Sequence, residues 1–218
     1  MWQKLKEKIK EKFYYSWLSI VAQNLTNLIY ATVVYHILHR TKVEFTGSKP
    51  DRTKNYLIVS NHISMKDPPL VGHCIQLPVS FIAKTELFQN PLLKLYMYST
   101  STIEVDRDNP DTSTFKQAKK ALSRKTMGFG WSVVIFIEGT RSNDPEKLGK
   151  PNKGAVFLAR LAKVPIIPCG IHYAEDKTIT VRFGEPYEID YKGDLEEQSW
   201  QCLERIAQLA GKSLPDRD

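Results

Sequence analysis

The sequence predicts an α/β fold, with a mostly parallel or mixed central sheet flanked by helices and an N-terminal helix pair set before it. Three observations carry this reading. From about Lys42 onward, short apolar β-rich runs alternate with helix-like segments. Residues 13–39 contain no Lys, Arg, Asp or Glu, unlike the rest of the chain. The 218 residues are 42% apolar, enough to bury one sizeable core. The expected division is therefore residues 1–40 as a two-helix segment and residues 41–218 as the α/β domain.

The chain begins "MWQKLKEKIKEKFYYSWLSIV". On a helix, Trp2, Leu5, Ile9, Phe13 and Ile20 fall on one narrow stripe, and Lys4, Lys6, Lys8, Lys10 and Lys12 spread over the remainder. The following charge-free stretch is long enough to span a bilayer, yet Gln23, Asn24, Thr26 and Asn27 sit in its middle. Both flanks are basic, with the lysines before and Arg40 and Lys42 after. A single span would put one basic cluster on the non-cytoplasmic side, against the positive-inside tendency. Two helices dipping into one leaflet keep both clusters on the same side. The expectation is a membrane-binding pair that is monotopic or peripheral, on the cytoplasmic face of an anionic phospholipid membrane. The plainer alternative is that both helices pack on the soluble core. No small-residue cleavage site follows a short apolar run, which argues against a removed signal peptide.

Strand-like runs occur at 56–60, 79–83, 102–105, 131–137, 164–171 and 178–183, with helix-like segments at 85–98, 111–125, 152–163 and 194–211. A net charge of +7 suits an anionic partner, whether nucleic acid, phosphorylated metabolite, acidic carrier or lipid. Cys74, Cys169 and Cys202 lie far apart, which fits neither a disulfide framework nor a clustered metal site and points to a reducing compartment.

Sites in such folds gather where strands end in loops. Three strand-end clusters stand out. In "NHISMKDPPL" His62 and Asp67 follow the run "YLIVS". A continuous helix would rotate five residues by about 500° and separate the two side chains, so the pair makes more sense across a turn. Asp67 with Pro68 behind it reads as a helix N-cap followed by Pro at the first helical position. Taken alone, a capping Asp and a loop His explain the pair as well as catalysis does. In "TIEVDRDN" Asp106 and Arg107 follow a second run, where Arg107 either grips a phosphate or pairs with its neighbour. In "VVIFIEGTRSNDPEK" a very apolar strand delivers Glu138, Gly139, Thr140, Arg141 and Ser142, a turn rich in donors for an anion. Lys84 in "FIAKTEL" sits just past another run, as an exposed lysine or as a further cation facing the same site.

These blocks resemble those of the glycerophospholipid acyltransferases. "NHISMKD" resembles the family's NHxxxxD block, "IEVDR" the second, "FIEGTRS" the third and "VPIIPCGI" the fourth, in the family's order and spacing. The likeness covers half the chain and is nearest to the bacterial 1-acylglycerol-3-phosphate acyltransferases. Ser101 and Thr102 stand where the second block usually has glycines, Ile137 where the third usually has Pro, and Ile63 where Gln is common.

The resemblance implies that an acyl group moves from a thioester to the free hydroxyl of lysophosphatidic acid, giving phosphatidic acid for phospholipid biosynthesis. It makes His62 the general base and Asp67 its orienting partner. It assigns the acceptor phosphate to Arg107, Arg141 and Lys84, with Glu138 on acceptor hydroxyls or on Arg141 and with Gly139 and Thr140 in the binding loop. It calls for no cofactor; acyl carrier protein or coenzyme A carries the donor, and nucleic acid is not among the partners. Glycerol 3-phosphate or another lysophospholipid is the alternative acceptor. A hydrolase would lack a G-x-S-x-G elbow here. A metal site on His62, His73 and Asp67 would lack further ligands, and a non-catalytic membrane adaptor would have no need of His62, Asp67, Glu138 and Arg141.

Overall fold

The computed structural model describes residues 13–30, 40–105, 112–142, 144 and 146–217. The expected lysine-studded helix at the start of the sequence, and Asp106 with Arg107, lie outside the described residues.

A seven-stranded sheet forms the centre. Its strands are β1 (Arg40–Phe45), β2 (Leu57–Ser60), β3 (Val79–Lys84), β4 (Ile103–Val105), β7 (Ser132–Phe136), β8 (Ile166–Tyr173) and β9 (Thr178–Phe183). They lie in the order β1-β9-β8-β2-β7-β3-β4. A two-stranded ribbon, β5 (Lys125–Thr126) with β6 (Phe129–Gly130), stands apart. From β8 to β4 every neighbouring pair is parallel, β8 and β9 are antiparallel, and β1 adds parallel to β9. The sheet is therefore mixed.

The expected strands are present because they are covered on both faces. Along β2, Leu57 and Val59 enter one core together with Ala155, Leu158, Leu203 and Ile206. Tyr56 and Ile58 enter the other together with Leu70, Val71 and Ile75. A strand buried on both sides reads as an unbroken apolar run. The helices of the first core are α4 (Thr112–Ala121), α5 (Gly154–Ala162) and α6 (Leu195–Ala210); α2 (Asp67–Ile75) covers the second. Helix α6 lies so close to β8 that a Cβ on Gly170 would come within 2.4 Å of the Ala210 nitrogen. The stretch expected as one helix over 85–98 is instead a 3₁₀ turn, Thr85–Gln89, followed by α3 (Pro91–Ser99). Pro91 disfavours helix at the residue before it and suits a helix start.

Helix α1 (Trp17–Tyr30) lies against α2 and α3. It turns its small and polar side inward: Ser19 and Gln23 are 0% and 1% exposed. The Gln23 amide mimics a strand, donating to the Val79 carbonyl and accepting from the Val79 N–H at 3.0 Å. Asn24 and Thr26 return their donors to the Ile20 and Ala22 carbonyls of their own helix. Gln23, Asn24 and Thr26, which interrupt the apolar stretch, thus bond within the protein. Trp17, Leu18, Val21, Leu25, Leu28 and Ile29 form the outward side, and Trp17 and Leu25 are each 56% exposed. No helix among the described residues is long and apolar enough to cross a membrane.

Candidate active site

Ser60 is in register with Phe136 of β7 and with Cys169 of β8, so three parallel strands deliver their following loops to one edge. Asn61 fixes that edge. Its buried amide donates to the Ile171 carbonyl at 3.0 Å and accepts from the Ile171 N–H at 2.8 Å.

His62 comes next, with 17% of its side chain exposed. Its Nδ1 lies 2.8 Å from Asp67 Oδ2. Its ring stacks on Phe136, with centroids 4.0 Å apart and planes at 18°. Its main chain is held as well, by Glu138 Oε1 on the N–H at 3.0 Å and by the Ser142 N–H on the carbonyl at 2.8 Å. A carboxylate only accepts, so Nδ1 carries the hydrogen and Nε2 carries the lone pair that can take up a proton.

Asp67 is completely buried. Its Oδ2 also accepts from the Ile63 and Ser64 N–H groups, each at 2.7 Å, and its Oδ1 accepts from the Tyr173 hydroxyl at 2.7 Å. These bonds revise the expected N-cap. The cap position is Lys66, which makes no side-chain capping bond, and Asp67 is already the first residue of α2. Its carboxylate points back into the turn that carries His62, so its use is to shape that turn and orient the imidazole.

After β7 the chain turns at Gly139, whose φ of 68° lies in the left-handed region that favours glycine. Glu138 does not meet Arg141 in any bond found among the described residues. Its Oε1 holds the His62 N–H and its Oε2 accepts from the Gly149 N–H at 2.8 Å, so the side chain ties the His62 turn to the loop at Gly149. Thr140 and Arg141 are exposed at the same edge. Lys84 is exposed at the end of β3, in register with Val105 of β4. The sheet thus brings His62, Asp67, Glu138, Gly139, Thr140, Arg141 and Lys84 to one edge, while Arg107 belongs to the undescribed segment that follows Val105.

Sequence reasoning missed Tyr173, Phe136 and Asn61. Asn61 was visible as the first letter of its block. Phe136 and Tyr173 carried no signal, because an aromatic in an apolar strand reads as core. Among the described residues no cluster of three or more His, Cys, Asp or Glu side chains is placed to hold a metal ion. The three cysteines are free and buried; burial pushes the thiol of Cys74 up to about 12 and that of Cys202 up to about 11. Such thiols are poor nucleophiles.

Comparison with known proteins places the chain in a family. The family model described as "Acyltransferase" matches residues 42–172, the stretch that holds all four blocks. A 1-acyl-sn-glycerol-3-phosphate acyltransferase of Streptococcus pneumoniae is 27% identical over 173 residues, covering 74% of this chain and 60% of that protein. Proteins of the same name from Bacillus subtilis and Cocos nucifera are 33% and 30% identical, covering 52% and 80% of this chain. The alignments span 53% and 58% of those two relatives, so the chain matches little more than half their length. The fold is similar to that of the crystal structure of the Thermotoga maritima 1-acyl-sn-glycerophosphate acyltransferase PlsC. The TM-score is 0.64 at 21% identity, covering 94% of this chain and 81% of that one. With its blocks matched in order and its fold shared, the chain belongs to the acyltransferase family.

Proposed function

We propose that the chain transfers an acyl group from a thioester to the free hydroxyl of 1-acylglycerol 3-phosphate, forming phosphatidic acid. The observation that carries this reading is the His62–Asp67 pair, stacked on Phe136 and held at a strand-end edge beside exposed Arg141 and Lys84. Relatives from bacteria, a plant and a yeast carry the name of that activity.

In this mechanism His62 Nε2 takes the proton of the acceptor hydroxyl as its oxygen attacks the thioester carbonyl. Asp67 faces the imidazolium that forms. The tetrahedral intermediate collapses, the C–S bond breaks, and the proton on Nε2 passes to the departing thiolate. The substrate hydroxyl replaces the serine of a Ser-His-Asp triad, so no acyl-enzyme is required. A positioned general base contributes about 10²–10⁴-fold, and alignment and electrostatic stabilisation of the intermediate supply the rest.

The acceptor phosphate meets Arg141, with Lys84 and Arg107 as further cations. The donor is an acyl-acyl carrier protein or acyl-coenzyme A thioester. The outward apolar side of α1 rests in one leaflet of an anionic membrane, on the cytoplasmic face, so the lipid acceptor and product need not leave the bilayer.

The test supplies each acyl thioester with lysophosphatidic acid, other lysophospholipids or glycerol 3-phosphate, and identifies products by mass spectrometry. Phosphatidic acid from lysophosphatidic acid alone is the expected result. Thiol release at the same rate without any acceptor would mean hydrolysis and would defeat the reading.

A further inference from the structure

The end of the chain is tied to the loop that follows β7. Helix α6 closes at Ala210, the chain turns at Gly211, and the Lys212 N–H returns to the Ala207 carbonyl at 3.0 Å. The next residue then runs beside residues 146–148. The Ser213 N–H and hydroxyl both donate to the Glu146 carbonyl, at 2.8 and 3.0 Å, and the Leu148 N–H donates to the Ser213 carbonyl at 3.0 Å. Lys147 pairs with Asp216 at 2.9 Å.

Lys212 reaches further in. Its Nζ donates to the Asp144 carbonyl at 2.8 Å. Asp144 Oδ1 in turn accepts from the Glu146 and Lys147 N–H groups, at 2.8 and 2.9 Å. From this loop the bonds continue to the site: Gly149 to Glu138, Glu138 to the His62 N–H, and Ser142 to the His62 carbonyl. Bonded contacts therefore connect the chain end to the main chain of the base, with Arg141 on the loop between.

The charges have the same layout. Burial lowers the Lys212 pKa from the ordinary lysine value, and the carboxylates of Glu138, Asp144 and Asp67 act on the ammonium in the opposite sense. Two of those three carboxylates belong to the site. An anionic headgroup entering beside Glu138 and Asp67 meets their repulsion unless cations offset it.

We propose that Lys212 is a positioning residue for the acceptor phosphate: its ammonium holds the Asp144 carbonyl, and with it the Arg141 loop, and offsets the negative charge of Glu138 and Asp67. This rests on the acceptor being phosphorylated, as in the function proposed above. Nothing in the four sequence blocks points to this residue, because it lies beyond all of them.

The experiment compares Lys212→Arg, Lys212→Gln and Lys212→Met in the full chain. Glycerol 3-phosphate binding is measured by isothermal titration, and the KM of acceptor and donor, kcat and Tm are measured alongside. Lys212→Met and Lys212→Gln are expected to weaken glycerol 3-phosphate binding and to raise the acceptor KM by about tenfold. Donor KM, kcat and Tm should stay near wild type, and Lys212→Arg should restore acceptor binding. Unchanged glycerol 3-phosphate binding in Lys212→Met overturns the inference. So does a fall in Tm with both substrates affected alike in all three variants, which would make Lys212 a packing residue. The titration needs no turnover. A wild-type protein that binds glycerol 3-phosphate but does not acylate lysophosphatidic acid would defeat the proposed acceptor and leave Lys212 to be judged by binding alone.

Discussion

Tyr173 and Asp67 meet at 2.7 Å, phenol to carboxylate, on the oxygen that His62 does not use. The two residues come from different elements, the last position of β8 and the first of α2. The phenol thereby fixes the rotation of a carboxylate whose other oxygen already serves His62, Ile63 and Ser64.

Tyr173→Phe removes that hydrogen bond while keeping the ring. A hydrogen bond to a charged group contributes about 1.5–3 kcal/mol, part of which is recovered by small shifts of the carboxylate. The expected outcome is a kcat lowered by about tenfold, equivalent to ~1.4 kcal/mol in the barrier, with the acceptor KM little changed. Steady-state kinetics on the purified variant checks it. An unchanged kcat would mean that Ile63 and Ser64 alone hold the carboxylate in place.

His62, the proposed base, is the harsher test. His62→Ala should remove nearly all transfer, leaving well under a tenth of the wild-type rate, and Asp67→Asn should lose about 10²–10⁴-fold. Asp67→Asn also turns one end of a buried acceptor into an NH₂ group, which cannot accept from Ile63 and Ser64 or from Tyr173. A larger fall in Tm is therefore expected for Asp67→Asn, which disturbs four hydrogen bonds to a buried carboxylate, than for His62→Ala, which gives up one hydrogen bond and the stacking on Phe136. Thermal unfolding of the two variants separates the roles. A His62→Ala protein that keeps more than a tenth of the activity would rule out direct base catalysis by His62.

Parts of the fold and of the candidate site were legible in the sequence. His62, Asp67 and the turn at Gly139 were legible because special chemistry stood directly behind apolar strands. Tyr173 was not, since its use depends on β8 lying beside β2, and Lys212 was not, since only the packing of α6 brings it back to the β7 loop. The internal strands were legible through their two-faced burial. Strand β1 was not: among the described residues it pairs only with β9, at the edge of the sheet, and Lys42, Val43 and Glu44 are all exposed. The reversal between β8 and β9 followed from a connection of only four residues, 174–177, too short for the crossover that parallel neighbours need.

Ser101 offers a test of stability away from the chemistry. Its φ of 50° lies in the left-handed region that favours glycine. Its hydroxyl is buried with no hydrogen-bond partner among the described residues. A left-handed backbone costs a residue with a side chain about 1–2 kcal/mol, and glycine returns about 0.5–1 kcal/mol of that through its freer unfolded chain. Removing the unbonded hydroxyl adds a gain, which the small void left behind trims. Ser101→Gly is expected to stabilise the protein by about 1 kcal/mol, raising Tm by about 2–4 °C. Calorimetry decides it, and a lower Tm would show that the void outweighs the relief of backbone strain.

The two faces of helix α1 allow folding and the proposed membrane attachment to be tested separately. Its inward side is built on Gln23, which satisfies both the N–H and the carbonyl of Val79. Gln23→Leu leaves those two buried groups unpaired, at about 1–3 kcal/mol each, and should lower the urea midpoint clearly. The outward side has no such duty. Trp17, Leu18, Val21 and Leu25 are each about half exposed, so replacing all four with Gln should leave Tm nearly unchanged. The same replacement should abolish much of the affinity for lipid. Fully burying one such side chain contributes about 1.5–3 kcal/mol, so even partial insertion of four predicts a loss of at least about 100-fold in vesicle binding. Sedimentation with neutral phosphatidylcholine vesicles isolates this apolar contribution from that of the lysines. Full retention of vesicle binding in the fourfold variant, with the fold intact, would show that α1 does not face the bilayer.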